Sequence, residues 1–137
     1  ELAVETTDKS IQSNIAAALR KIKCMENKID RIDWITDSKV WLCKKSEKQY
    51  DPDTTSAYTL PVGNNIHLCQ GFYNLPRYKK RSLMVHELSH KCLTTDIAYF
   101  DILKITPRSY KGVPWPYIAS TYEYWMENGV CIPQINC

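Results

Sequence analysis

A chain of 137 residues with 44% hydrophobic and 24% charged residues has the composition of an ordinary globular protein. Its net charge of +3 comes from lysines and arginines spread along the chain, clustered only briefly at Lys44–Lys45 and Arg77–Arg81. That excludes the concentrated basic face of a nucleic-acid binder. No apolar run approaches the roughly 20 residues of a membrane span, so no membrane insertion is expected.

The length suits one domain over residues 1–137. From Asp8 to about Ile29 the pattern is helical: Ile11, Ile15, Ala18, Leu19 and Ile22 recur at steps of three and four. This reads as a scaffold helix without chemistry. "KVWLC" (Lys39–Cys43) predicts a short strand. "SEKQYDPDTTS" (Ser46–Ser56) predicts a polar loop whose carboxylates lack the spacing and central glycine of a calcium loop. "AYTLPVGNNIHLCQGFY" (Ala57–Tyr73) predicts two strands around a turn at "PVGNN". Pro76 breaks the chain, and a helix is expected from Arg77 to Leu93. A looser segment with Pro107, Gly112, Pro114 and Pro116 follows. Pro116–Asn128 then has Pro at its start and Gly129 past its end, the expected bounds of a helix. Helix, strands, helix, helix is the order of an α+β domain.

Six cysteines, Cys24, Cys43, Cys69, Cys92, Cys131 and Cys137, contain no CxxC pair. An even count spread over the chain predicts three disulfides in a secreted, extracellular protein, with the pairing open among 15 possibilities. The opening "ELAVETTDKS" looks like a mature N-terminus. A monomer is expected.

The chemistry is carried by His86-Glu87-Leu88-Ser89-His90, an HExxH sequence. Residues i and i+4 share a helix face, so both imidazoles can grip one ion, and zinc accepts such nitrogens while keeping a position for water. Glu87 would take the proton from that water. A buried His-Glu-His turn with no metal would be a costly polar cluster. A third ligand is needed. His67 is the only other histidine, and Asp96 and Asp101 are the carboxylates downstream. Neither HExxHxxGxxH nor a thermolysin-type ExxxD pattern follows. Asp96, six residues past His90, leaves room for the chain to turn back, and Tyr99 could then bond a carbonyl oxygen at the metal. Trp34, Trp41, Trp115 and Trp125 read as packing residues, and His67 as structural or pocket-lining.

HExxH followed by "TTDIAY" (Thr94–Tyr99) resembles the aspzincins, the deuterolysin and peptidyl-Lys metalloendopeptidase family, whose second motif is GTxDxxYG. "AYTLPVGNNIHLCQGFYNLP" (Ala57–Pro76) and "ASTYEYWMEN" (Ala119–Asn128) resemble that family's AYTxP strands and its C-terminal NADxYxxY helix. The resemblance implies a zincin-like metalloprotease domain with a small antiparallel or mixed sheet, flanking helices and disulfide staples. It implies one Zn2+ per chain on His86, His90 and Asp96, with Glu87 as general base and Tyr99 as oxyanion partner. It also implies protein or peptide substrates, bound by Glu123, Tyr58 and Tyr122, with lysine as the side chain favoured at P1′. The chain departs from the pattern at Leu93 and Phe100, where the family has glycines, at Ser120, where it has an aspartate, and in a shorter His90–Asp96 segment. The rival expectation is a zinc-binding interaction protein that does not turn over substrate.

Overall fold

The computed structural model describes residues 2–36, 57–59, 63–97 and 106–137. Helix α1 spans Leu2–Lys28 and a 3-10 turn, Ile29–Arg31, closes it. Strands β1 (Asp33–Ile35), β2 (Ala57–Thr59) and β3 (Asn65–Leu68) form a mixed sheet in the order β1-β3-β2. A short helix α2 (Gln70–Tyr73), helix α3 (Arg77–His90), a 3-10 turn (Trp115–Tyr117) and helix α4 (Ala119–Asn128) complete the described elements. The α+β class is as the sequence predicts.

The sheet is held by β3. It runs parallel to β1, with Trp34 opposite Ile66, and antiparallel to β2, with Tyr58 opposite His67. The expected pair of strands around the "PVGNN" turn is present, but the second ends at Leu68. From Cys69 the chain turns helical, since Phe72 N–H and Asn74 N–H donate back to the carbonyls of Cys69 and Gly71. Strand β1 was not expected: three residues are too few to show an alternation, and β1 exists because β3 supplies its partners. The strand and loop expected over Lys39–Cys43 and Ser46–Ser56 lie outside the described residues.

The core lies where α1, α3 and α4 meet the sheet. Ala18, Met25, Ile32, Ile66, Leu88, Cys92, Trp115, Tyr122 and Trp125 form one buried cluster. Ala17, Ala18 and Met25 are buried apolar residues of α1, whereas Leu19, placed in the apolar stripe by its spacing, is 60% exposed. Trp115 and Trp125 meet edge to face at 5.6 Å, as packing aromatics do. Trp125 also donates from Nε1 to Cys131 O at 2.8 Å, so its polar edge is satisfied.

Cys24 on α1 is disulfide-bonded to Cys92, just past α3, across 68 residues. Closing a loop of that length removes unfolded-state entropy equivalent to about 4 kcal/mol. Cys131–Cys137 staples the tail locally, and Cys69 is also disulfide-bonded. Cys43 lies outside the described residues.

A candidate metal centre on helix α3

Pro76 starts α3 by accepting from the N–H groups of Lys79 and Lys80, and the helix runs without interruption through the HExxH turn. One turn apart, His86 and His90 present their rings at 5.0 Å, and the possible ligand atoms of His86, Glu87 and His90 lie within 4.8 Å of one another. His86 and Glu87 are buried at 3% and 6% exposure, and His90 is partly open.

The chain then returns quickly. Lys91, Cys92 and Leu93 continue the turn through N–H bonds to Leu88, Ser89 and His90 carbonyls. Leu93 reverses the chain with φ +68°, in the left-handed region where glycine is at ease. This is one of the two positions where the aspzincin pattern has glycine. Thr95 is next pinned to the entry of α4: its N–H donates to Tyr117 O at 2.9 Å, and its carbonyl accepts from Ala119 N–H at 3.0 Å. The short segment therefore closes, and Asp96 Oδ1 comes to 2.7 Å from His86 Nε2 and 3.0 Å from His90 Nε2.

Each imidazole is also held at its other nitrogen. His90 Nδ1–H donates to Thr94 O at 3.1 Å, and His86 Nδ1 is 2.7 Å from Glu123 Oε1. With Nδ1–H committed, Nε2 is the atom each ring offers forward, and the two Nε2 atoms and Asp96 Oδ1 point at one place. This donor set, two neutral imidazoles and a carboxylate with a further carboxylate beside them, is one that zinc accepts.

The electrostatics show the same demand for positive charge. Three carboxylates, Glu87, Asp96 and Glu123, surround the buried His86 and the partly open His90. Burial pulls His86 downward, but its bonds to Asp96 and Glu123 and the charges of Glu87 and Glu123 outweigh burial and carry it up to about 10. Burial also pulls His90 downward, and its bond to Asp96 and the charges of Asp96 and Glu87 leave it above its usual value. Burial alone would raise Asp96; the bonds from both histidines hold it well below the usual carboxylate range. In the protein alone the cluster holds protons tightly at Nε2, the positions a metal ion would take over. Glu87 differs. Burial raises its carboxyl, partly opposed by the two imidazoles, so it binds a proton more readily than a surface glutamate.

The structure brings together His86, Glu87, His90 and Asp96. Three other expected residues, Glu123, Tyr122 and Tyr58, are buried. Glu123 is 3% exposed and sits behind His86, with its second oxygen 3.4 Å from Lys79 Nζ. Tyr122 is 2% exposed and donates to Pro116 O inside the core. Tyr58 is 7% exposed and stacks on His67, with ring centroids 4.6 Å apart. Among the described residues, the possible metal-ligand group is His86, Glu87 and His90 and does not include His67. Tyr99 and Asp101 lie outside the described residues.

The family profile of the aspzincins, described as lysine-specific metallo-endopeptidases, matches residues 5–102, well over half of the chain. The chain belongs to this family. No curated protein and no solved structure matches it. As an aspzincin it falls among the metalloproteases, and the family implies a metal, usually zinc, and peptide substrates. The matched span contains α3 and Asp96 but stops short of α4, so the place of Glu123 behind His86 is seen in the fold and not in that match. Sequence reasoning also missed Lys79 and the Thr94 carbonyl as supports of the centre. A backbone carbonyl carries no residue signature, and Lys79 stood within an unremarkable basic run, "RYKKR".

Proposed function

We propose that this aspzincin is a secreted, single-domain, monomeric zinc metalloendopeptidase with its centre on His86, His90 and Asp96. The observation that carries the reading is the convergence of two Nε2 atoms and Asp96 Oδ1, each ring locked from behind, beside a buried Glu87. Zinc held there would lower the pKa of a water and polarise the scissile carbonyl.

The chain's own residues supply the rest. Glu87, with its raised proton affinity, takes the water's proton and returns it to the leaving amine. Tyr99 is assigned to the developing oxyanion on the strength of the "TTDIAY" motif. Strand β2 is an edge of the described sheet and packs against α3, so an extended peptide can pair with it as an added strand and pass across the centre. Disulfides fit an extracellular setting. Lysine at P1′ follows from the family's description. Glu123, which would have selected it, is bonded to His86 and Lys79, so the preference is expected to be loose.

The test is mass spectrometry of a denatured protein digested with the chain, with its Glu87→Gln variant and with a chelated control. Loss of a general base costs roughly 10²–10⁴ in rate, so cleavage by the wild type alone is expected. Zinc bound without cleavage would instead identify a non-catalytic binder. The cut sites read out the P1′ preference directly.

A further inference from the structure

His86 is a buried imidazole engaged by a carboxylate at each nitrogen, Asp96 at Nε2 and Glu123 at Nδ1, both at 2.7 Å. Glu123 reaches it from α4, across the interface between the two helices. Its other oxygen faces Lys79 Nζ at 3.4 Å, and the same ammonium lies 3.0 Å from Glu127 Oε1. Glu127 in turn accepts from Ser82 Oγ at 3.1 Å, and Ser82 is fully buried. Lys79, Ser82 and His86 all lie on α3, and Glu123 and Glu127, one turn apart, on α4. The two helices are joined by a line of charge that ends on an imidazole.

Burying a carboxylate this deeply is costly unless its oxygens are paired. Glu123 meets that condition with one oxygen on His86 and one on Lys79. The pairing has a directional consequence. A carboxylate only accepts, so Nδ1 must carry a hydrogen, and Nε2 is left facing Asp96 and His90. The side chain also has too little exposure to serve as an anchor for an incoming cation, and the chain's own Lys79 holds that place.

We infer that Glu123 is a positioning residue of the centre, fixing His86 in the orientation that presents Nε2, and that Lys79 holds Glu123 in place from behind. The inference rests on the metalloendopeptidase reading of the same site. A carboxylate behind a ligating histidine is worth about 10–100-fold in metal affinity. The effect is therefore read as zinc affinity, independently of turnover.

The experiment measures the zinc dissociation constant by chelator competition for wild type, Glu123→Ala, Glu123→Gln and Lys79→Met. Thermal unfolding of each metal-free protein is recorded alongside. Glu123→Ala should bind zinc about 10–100-fold more weakly. Glu123→Gln keeps an accepting oxygen and should recover part of the loss, and Lys79→Met should weaken binding by less than Glu123→Ala. A zinc affinity for Glu123→Ala within about twofold of wild type, well below the range for an outer partner, overturns the inference and leaves the metal site standing. A wild type that binds no zinc overturns both. A nitrogen-detected NMR spectrum of zinc-loaded wild type gives an answer independent of how the variants fold. His86 with its proton on Nδ1 supports the inference, and a proton on Nε2 ends it.

Discussion

His90 takes its Nδ1 partners from Thr94, four residues along its own loop: the backbone carbonyl at 3.1 Å and, further off, the hydroxyl at 3.5 Å. His86 takes its partner from the side chain of Glu123, on a separate helix. The two halves of the centre are therefore built by different means. The His90 half is local: the turn at Lys91–Leu93 delivers Thr94 O and Asp96 together, and the Thr95–Ile118 bridge fixes where the turn ends. The His86 half is tertiary and requires α3 and α4 to pack in register. The difference teaches where each half is vulnerable. Side-chain substitution can delete the support of His86, whereas the support of His90 survives any side chain that keeps the turn.

The largest effect that sharpens this comparison is expected at Asp96, the atom both halves share. Asp96→Ala should weaken zinc binding beyond the roughly 100-fold ceiling for losing an outer partner, because a ligand itself is removed. The same chelator competition checks it. An unchanged affinity would point to Asp101 or His67 as the third ligand instead.

Thr94 gives the contrasting case. Its Oγ1 meets Ser89 Oγ at 2.8 Å, and Ser89 donates to His86 O at 2.6 Å, so the hydroxyl braces the turn. Thr94→Val removes that hydroxyl, including its long 3.5 Å contact with His90 Nδ1, but leaves the nearer carbonyl that holds His90 at 3.1 Å. Stability should fall by about 1 kcal/mol, the usual worth of one hydrogen bond, in denaturant unfolding. Zinc affinity should change by much less than the roughly tenfold minimum for an outer partner. A tenfold loss would mean that the hydroxyl, not the carbonyl, supports His90, and the contrast between the halves would collapse.

How much of this was legible in the sequence follows the same division. HExxH needs only the helical repeat, so His86, Glu87 and His90 could be placed on one face from spacing alone. Asp96 was accessible because it lies six residues on, within one turn. The end of α4 was readable from Gly129, which has φ +85°, whereas the expected start at Pro116 falls in the 3-10 turn and α4 begins three residues later, at Ala119. Glu123 was noticed, but as a substrate contact. Nothing local shows which way a glutamate on α4 faces once α4 packs on α3, and there it is buried against His86. The burial of Tyr58 and Tyr122 was equally hidden, since a motif does not distinguish core surface from pocket surface. The family match stops short of the C-terminal helix, so the placement of Glu123 against His86 had to come from packing.

Leu93 offers the smallest effect and tests whether the local half is strained. It is 76% exposed and held at φ +68°. A non-glycine residue in this region costs roughly 1–2 kcal/mol through the contact of Cβ with the following carbonyl oxygen. Glycine removes that contact but adds freedom to the unfolded chain, an opposing effect of about 0.4–1 kcal/mol. Little packing is lost, since most of the side chain faces solvent. Leu93→Gly should therefore stabilise the fold by about 0.5 kcal/mol, read as a higher denaturant midpoint with an unchanged slope. Zinc affinity should stay the same, because φ is already what the turn requires and Thr94 O and Asp96 do not move. If the variant is destabilised instead, the leucine is not a tolerated misfit, and its exposed side chain contributes packing that outweighs its backbone cost.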